Sequence, residues 1–331
     1  MRQVVLKHAL EDKPRAADFT LIDAPRPQCP DGGVLVTLSH VSMDPYVGAR
    51  LRGRHMGEPA PEPGVEAIPG HGVGVVIESR CEDFAKGEAV HLMEAGWREY
   101  AAAPASAARR IDTEGIDPAL HLSALGMPGL TAWAGITRLA QVCEGETVLI
   151  DAAAGAVGGT AGQIARAKGA ARVIGIAGGP EKCALVTGEY GFDACIDYKQ
   201  DGWEARLKDA LPDGLNVHFE NVSSDILNLA LTMMKPYGRA ILCGLAAHYQ
   251  TGQPAPGINF GPVIGARAGL HGLVVYDFYD RWDAFAGEIA PMVREGRLRL
   301  AHDIADGLDA APAAFERLMD GKNRGKALIA L

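Results

Sequence analysis

The sequence contains no uninterrupted apolar run of about 18 residues, the length a helix needs to cross a bilayer. Its start, MRQVVLKHALEDKPR, has neither the apolar core nor the small-residue cleavage site of a signal peptide. A dense basic run is missing too, and 32 Lys plus Arg against 41 Asp plus Glu give a formal net charge of -9, a balance unsuited to tracking a phosphate backbone. The six cysteines, Cys29, Cys81, Cys143, Cys183, Cys195 and Cys243, are scattered with no CxxC pair, so neither a disulfide framework nor a zinc knuckle is indicated. HExxH, GxSxG and P-loop patterns are lacking, which removes the chemistry of zinc peptidases, serine hydrolases and P-loop NTPases. These absences lead us to expect a soluble cytoplasmic protein with no nucleic-acid and no membrane partner.

What is present is an ordinary globular composition, 48% hydrophobic and 22% charged over 331 residues, enough for about two domains. Residues 1–124 read as short β segments (QVVLK, FTLIDAP, GVLVTLSHVSM, HGVGVVIES, EAVHLM) broken by Pro and Gly. Pro59, Pro61, Pro63 and Pro69 make residues 57–70 an extended loop. From residue 125 onward apolar β runs alternate with helical segments, the pattern of a parallel sheet covered on both faces. The strands are TVLIDA, RVIGIA, ACIDY, LNVHFEN, RAILCG and LHGLVV. Ile226, Leu227, Leu229, Ala230, Met233 and Met234 share a helical face that Lys235-Pro236-Tyr237-Gly238 should end. Further helices are expected around 281–295 and over Leu308 to Met319, with GKNRGKALIAL as a closing strand.

The sharpest local signal is TVLIDAAAGAVGGTAGQIARAKG, a strand, a small-residue turn and a helix. Ala153, Gly155 and Gly158 occupy the three positions of the dinucleotide fingerprint, with Ala156 and Val157 between the last two. Gly155 lets the backbone approach a pyrophosphate, Gly158 lets helix and strand pack closely, and the helix-start amides meet the negative charge. A merely close-packed turn is the alternative. The next strand ends in Ala177-Gly178-Gly179 with no acid for a ribose 2′-hydroxyl, while Lys182 stands one turn into the following helix, where a 2′-phosphate would meet it. NADP(H) is therefore favoured over NAD, the alternative for Lys182 being a solvated lysine beside Glu181. His71 reads as a non-ligand histidine near a turn, and Cys243 as a packed cysteine lining the cleft at the carboxyl edge of the sheet, a nucleophile being the alternative. Two tyrosines qualify as proton donors near a nicotinamide, Tyr249 beyond the strand ending at Gly244 and Tyr46 in the β module; half-buried packing residues are the alternative.

With these features in view, the chain resembles the zinc-independent medium-chain dehydrogenase/reductases, in particular the prostaglandin reductase, 2-alkenal double-bond reductase and curcumin reductase group. The resemblance is carried by VSMDPY (41–46), GWREY (96–100), LGMPGLTAW (125–133), AAAGAVG (152–158), GGPEK (178–182), IDYK (196–199), ENV (220–222), Cys243-Gly244 with Tyr249, and GKNRGK (321–326). It implies an α/β fold in which a doubly wound Rossmann domain, residues 125–298, is inserted in a GroES-like β-barrel domain of residues 1–124 plus 299–331, as a homodimer. It also implies NADPH-dependent reduction of the carbon-carbon double bond of a small α,β-unsaturated aldehyde or ketone, with hydride delivered to the β-carbon and the enolate stabilised by a tyrosine without a metal.

By position in the motifs, Lys182 and Tyr198 would hold the 2′-phosphate and nearby phosphates. Thr131, Asn221 and Asn323 would lie along the nicotinamide half, with the Leu273–Val275 backbone near the carboxamide. Tyr249 would bond the enolate side and a ribose hydroxyl, and Tyr46 would line the substrate pocket. Zinc alcohol dehydrogenases of the same superfamily have a cysteine where this chain has Met43-Asp44 and Gly-His-Glu where it has Gly70-His71-Gly72. Departures from the reductase pattern are Ser223-Ser224 in place of two glycines, Ala247 in place of a serine, and His71 itself. The rival readings are an NADPH quinone oxidoreductase and a non-catalytic NADPH-binding protein.

Overall fold

A computed structural model describes residues 1–247 and 255–331. The chain divides into two compact units, one of residues 1–122 and 302–331, the other of residues 123–247 and 255–301. The first opens with strands β1 (Arg2–Leu6), β2 (Phe19–Asp23) and β3 (Gly33–Ser42), then helix α1 (Pro45–Arg50), β4 (Gly72–Ser79), β5 (Ala89–Leu92), β6 (Tyr100–Pro104) and β7 (Ala108–Arg110). The second contains α2 (Met127–Trp133), β8 (Thr147–Ile150), α3 (Ala156–Ala167), β9 (Arg172–Ala177), α4 (Pro180–Gly188), β10 (Ala194–Asp197), α5 (Trp203–Ala210), β11 (Leu215–Glu220) and α6 (Ser224–Leu231). It continues with β12 (Met234–Leu242), α7 (Phe260–Ala266), β13 (Gly269–Gly272) and α8 (Trp282–Arg294). Then β14 (His302–Asp306), α9 (Ala311–Met319) and β15 (Lys326–Ala330) return to the first unit.

In the first unit β1 and β2 form an antiparallel pair, and a larger sheet orders as β14-β15-β3-β4-β5-β7, with β6 paired to β3 and its pairs antiparallel except β14 with β15. Alternating apolar residues of β3 and β4 fill its interior, where Trp97, Phe19 and Phe315 meet edge-on or tilted at ring-centre distances of 5.1 to 6.0 Å. The prolines of 57–70 keep that stretch out of the named strands.

In the second unit the order is β10-β9-β8-β11-β12-β13, every pair parallel. A sheet covered on both faces is apolar throughout, and β8 is buried at all four positions. This is the doubly wound Rossmann order, whose ligand crevice lies between the first and fourth strands in sequence, here β8 and β11. One expectation fails locally. The helix read through Met234 stops at Leu231, and Met234 already begins β12, because Lys235–Gly238 bulge out of register between the Leu215/Met234 and Val217/Arg239 pairs. Among the described residues no helix is long and apolar enough to cross a membrane.

Candidate active site

The glycine turn is built by the end of β8. Ala152 adopts a left-handed conformation (φ 43°), Gly155 donates its N–H to Ala152 O at 2.8 Å, and Ala153 N–H is tied to Ile176 O of β9 at 3.0 Å. Gly155 is the N-cap of α3 and offers no side chain to its first-turn amides, which leaves them for an anionic ligand. A Cβ on Gly158 would lie 2.6 Å from Ala152 O and 2.9 Å from Asp151 O, so helix and strand approach here as only glycine allows. The residues fit a pyrophosphate.

At the end of β9 the chain passes through Gly178 and Gly179 (φ 100°), and Pro180 begins α4, with Lys182 in its first turn. Tyr198 and the stem of Lys199 pack over Gly178: a Cβ there would sit 2.9 Å from the Tyr198 ring and hydroxyl and 3.0 Å from Lys199 Cε. Two cations, Lys182 and Lys199, thus belong to the segments around the Gly-Gly turn. The nearby acid is already engaged. Asp197 Oδ1 accepts the N–H groups of Gly179 (2.7 Å) and Lys199 (3.0 Å). Burial pushes its carboxyl up, but these bonds and Gln200 hold it below its ordinary range.

On the other side of the crevice, Asn221 follows β11. Its N–H donates to Asp151 Oδ1 at 2.6 Å, and its side-chain Nδ2 donates to Asp151 O and Oδ1 at 3.2 and 3.1 Å. Cys243 and Gly244 donate backbone N–H groups to Glu220 O, and Leu273, buried, donates to Leu242 O at 3.0 Å. Val275 opens the short helical turn after it. Thr131 is buried on α2 with its hydroxyl donating to Met127 O at 2.8 Å. Burial, reinforced by Glu220, pushes the Cys243 thiol up to about 12, which favours the protonated, weakly nucleophilic form at neutral pH. Of Ser223 and Ser224, the departure from a Gly-Gly pair, Ser223 has a structural use: it is the N-cap of α6 and its Oγ accepts from Ile226 N–H.

Of the predicted residues in the first unit, Tyr46 lies on α1 with its ring 4.9 Å from the His55 imidazole, and Asn323 donates its Nδ2 to Gly325 O at 2.7 Å. Tyr249 lies outside the described residues. The structure adds partners for His71, which is buried with Nδ1 2.9 Å from His91 Nε2. Beside it Asp44 is paired with the buried Lys326 ammonium at 2.5 Å and receives the Ser42 hydroxyl, while Lys326 also donates to Met43 O at 2.8 Å. Burial pushes Asp44 up, yet Lys326 and then His71 hold it below the carboxylate range. With both carboxylate oxygens taken and an ammonium alongside, these residues do not fit a zinc ion.

Residues 156–290 match the family described as zinc-binding dehydrogenase, and residues 2–111 the family described as the N-terminal domain of oxidoreductase. The chain is 34% identical over 336 residues to the 2-alkenal reductase (NADP(+)-dependent) of Nicotiana tabacum, covering 99% of this chain and 96% of that one. With the NADPH-dependent curcumin reductase of Escherichia coli it shares 35% over 308 residues, covering 90% and 88%. The chain belongs to the zinc-independent medium-chain reductases. CurA of Vibrio vulnificus, solved in complex with NADPH, superposes on this reductase with a TM-score of 0.91 at 31% identity, over 100% of this chain and 99% of that one. The Rossmann and GroES-like architecture of the family is that of the two units described above.

Sequence reasoning missed several groups: Asp197 and Lys199 at the Gly-Gly turn, the Lys326–Asp44 pair, and three buried ionisable residues, Asp151, His218 and Glu220, whose polar atoms converge within 4.8 Å. The available signal was an acid and a histidine alternating in an otherwise apolar strand, HFE at 218–220, which places both on one face of β11.

Proposed function

We propose that this reductase uses NADPH to saturate the carbon-carbon double bond of a small α,β-unsaturated aldehyde or ketone. It is an NADP-dependent oxidoreductase acting on CH–CH groups, and the finer assignment rests on its full-length similarity to alkenal and curcumin reductases. Bound NADPH supplies the hydride that reaches the β-carbon. The α3 start behind Ala153, Gly155, Ala156, Val157 and Gly158 holds the pyrophosphate, and Gly178, Lys182 and Tyr198, with Lys199, hold the 2′-phosphate. Thr131, Asn221, Cys243, Gly244, Leu273, Val275 and Asn323 serve the nicotinamide half. Tyr249 donates a hydrogen bond to the enolate oxygen and Tyr46 lines the substrate side, a stabilisation of developing charge by fixed donors. Domain limits at 124/125 and 298/299, a homodimer and a cytoplasmic setting complete the reading, the dimer being tested by light scattering.

The test is consumption of NADPH and, in parallel, NADH with an aliphatic 2-alkenal, an aryl enone and a quinone, with products identified by mass. A saturated aldehyde or ketone formed with strong NADPH preference is expected. Turnover of the quinone alone would transfer the protein to the quinone oxidoreductases, and no turnover on all three would leave a binding protein.

A further inference from the structure

Asp151 leaves β8 and Glu220 ends β11, the two strands that border the crevice of the Rossmann sheet. Asp151, Glu220 and His218 are each fully buried. Glu220 Oε1 accepts the N–H groups of Val222 at 2.5 Å and Ser223 at 2.7 Å, and Oε2 lies 3.0 Å from His218 Nε2. Asp151 Oδ1 accepts both donors of Asn221, whereas Asp151 Oδ2 is enclosed, faces the Glu220 carboxyl and lies 3.9 Å from His218 Nε2, with no donor of its own.

Two buried carboxyl groups this close ionise together only well above the ordinary carboxylate range. If one proton sits on Asp151 Oδ2 and points at Glu220, and neutral His218 donates from Nε2, then Glu220 carries a single charge with four donors around it: Val222, Ser223, His218 and Asp151. That arrangement satisfies the buried oxygens, and it occupies the positions a metal ion would need. Burial, then the Glu220 charge and hydrogen bond, push Asp151 well above its ordinary range, while burial holds His218 below its own. The ionisable groups facing Asp151 are Glu220 and His218 from β11 and the protonated Cys243 thiol after β12.

We propose that Asp151 is a positioning residue whose carboxyl shares its proton with Glu220 and thereby orients Asn221 and the 220–224 turn for the nicotinamide half of the bound cofactor. The inference rests on the proposed place of Asn221. The carboxyl of Asp151 takes the backbone and side-chain donors of Asn221, while Glu220 fixes the amides of Val222 and Ser223 and its carbonyl receives Cys243 and Gly244. Because the acid form is the one the fold holds, the arrangement is present on the acid side and is lost as pH rises through the pair's titration, buried carboxyls titrating as high as about 8–9.

Asp151→Asn tests this in the intact protein, since an amide reproduces the protonated acid: its oxygen still accepts from Asn221 and its NH2 still donates to Glu220. Infrared difference spectra of the cofactor-free wild type should show the carbonyl stretch of a buried carboxylic acid, shifted in D2O and absent from Asp151→Asn. NADPH Kd by fluorescence titration should rise about tenfold per pH unit above the pair's titration in the wild type and stay flat in Asp151→Asn. In Asp151→Leu, which cannot hold Asn221, it should be raised at every pH. Absence of the acid band, its persistence in Asp151→Asn, or stoichiometric divalent metal in the purified protein would overturn the shared proton. Equal pH profiles in the wild type and Asp151→Asn would overturn the positioning role. Failure of NADPH to bind at any pH would instead refute the cofactor assignment and leave the infrared result to stand by itself.

Discussion

Replacing Gly158 with alanine probes the contact that lets α3 start close enough to β8 to receive a pyrophosphate. The added Cβ would stand 2.6 Å from Ala152 O and 2.9 Å from Asp151 O, both backbone atoms that cannot rotate away. Relief requires the helix to retreat by roughly half an ångström to an ångström, and overpacking of this kind costs about 1–3 kcal/mol. In a cooperative unit of this size the loss corresponds to a fall in Tm of about 2–12 °C. The first-turn amides retreat with the helix, and weakening one charge-assisted hydrogen bond lowers NADPH affinity about tenfold or more. Gly287→Ala is the internal control. It too lies within a helix, α8, but its Cβ would meet nothing within 4 Å, so the ordinary gain of about 0.5–1 kcal/mol for removing a helical glycine should appear. Thermal melts and NADPH titrations of the two variants decide the matter. A Gly158→Ala protein as stable as Gly287→Ala, with unchanged NADPH affinity, would refute the packing argument.

Lys182→Ala and Lys199→Ala should each raise KM for NADPH about 10- to 100-fold while leaving NADH nearly unaffected, the value of a lost hydrogen bond to a charged group; equal effects on both cofactors would remove them from the 2′-phosphate. Tyr249→Phe should lower kcat on an enone about 100-fold with NADPH Kd nearly unchanged, and unaltered turnover would exclude the hydroxyl from enolate stabilisation. Lys326→Met should cost about 3–5 kcal/mol in urea unfolding by leaving the buried Asp44 charge unpaired, and adding Asp44→Leu should recover much of that loss; a double variant no better than the single one would show that the pair's charges are not what matters.

The Rossmann half was legible because its strands are apolar runs and its turn is marked by small residues: TVLI, RVIGIA and the Ala153-Gly155-Gly158 spacing all lie where the pattern puts them. In the other half β6 and β7, YAAAP and ARR, went unread because neither carries an alternating pattern, and β14, HDIAD, is a polar strand that among the described residues pairs along β15 alone. Met233 and Met234 continue the helical period of α6, so only the bulge before Arg239 shows that the chain has already turned into β12. The buried acid pair was the hardest to foresee. Asn221 and Asp151 are 70 residues apart in sequence and meet only because β11 inserts beside β8, a neighbour relation that no local periodicity encodes.

Reduction of an enone with NADPH deuterated at the transferring position of its nicotinamide, followed by mass and NMR analysis of the product, tests the assigned chemistry most directly. Deuterium at the β-carbon of a saturated carbonyl compound is the predicted result. Deuterium at the carbonyl carbon of an allylic alcohol, with the double bond intact, would contradict it.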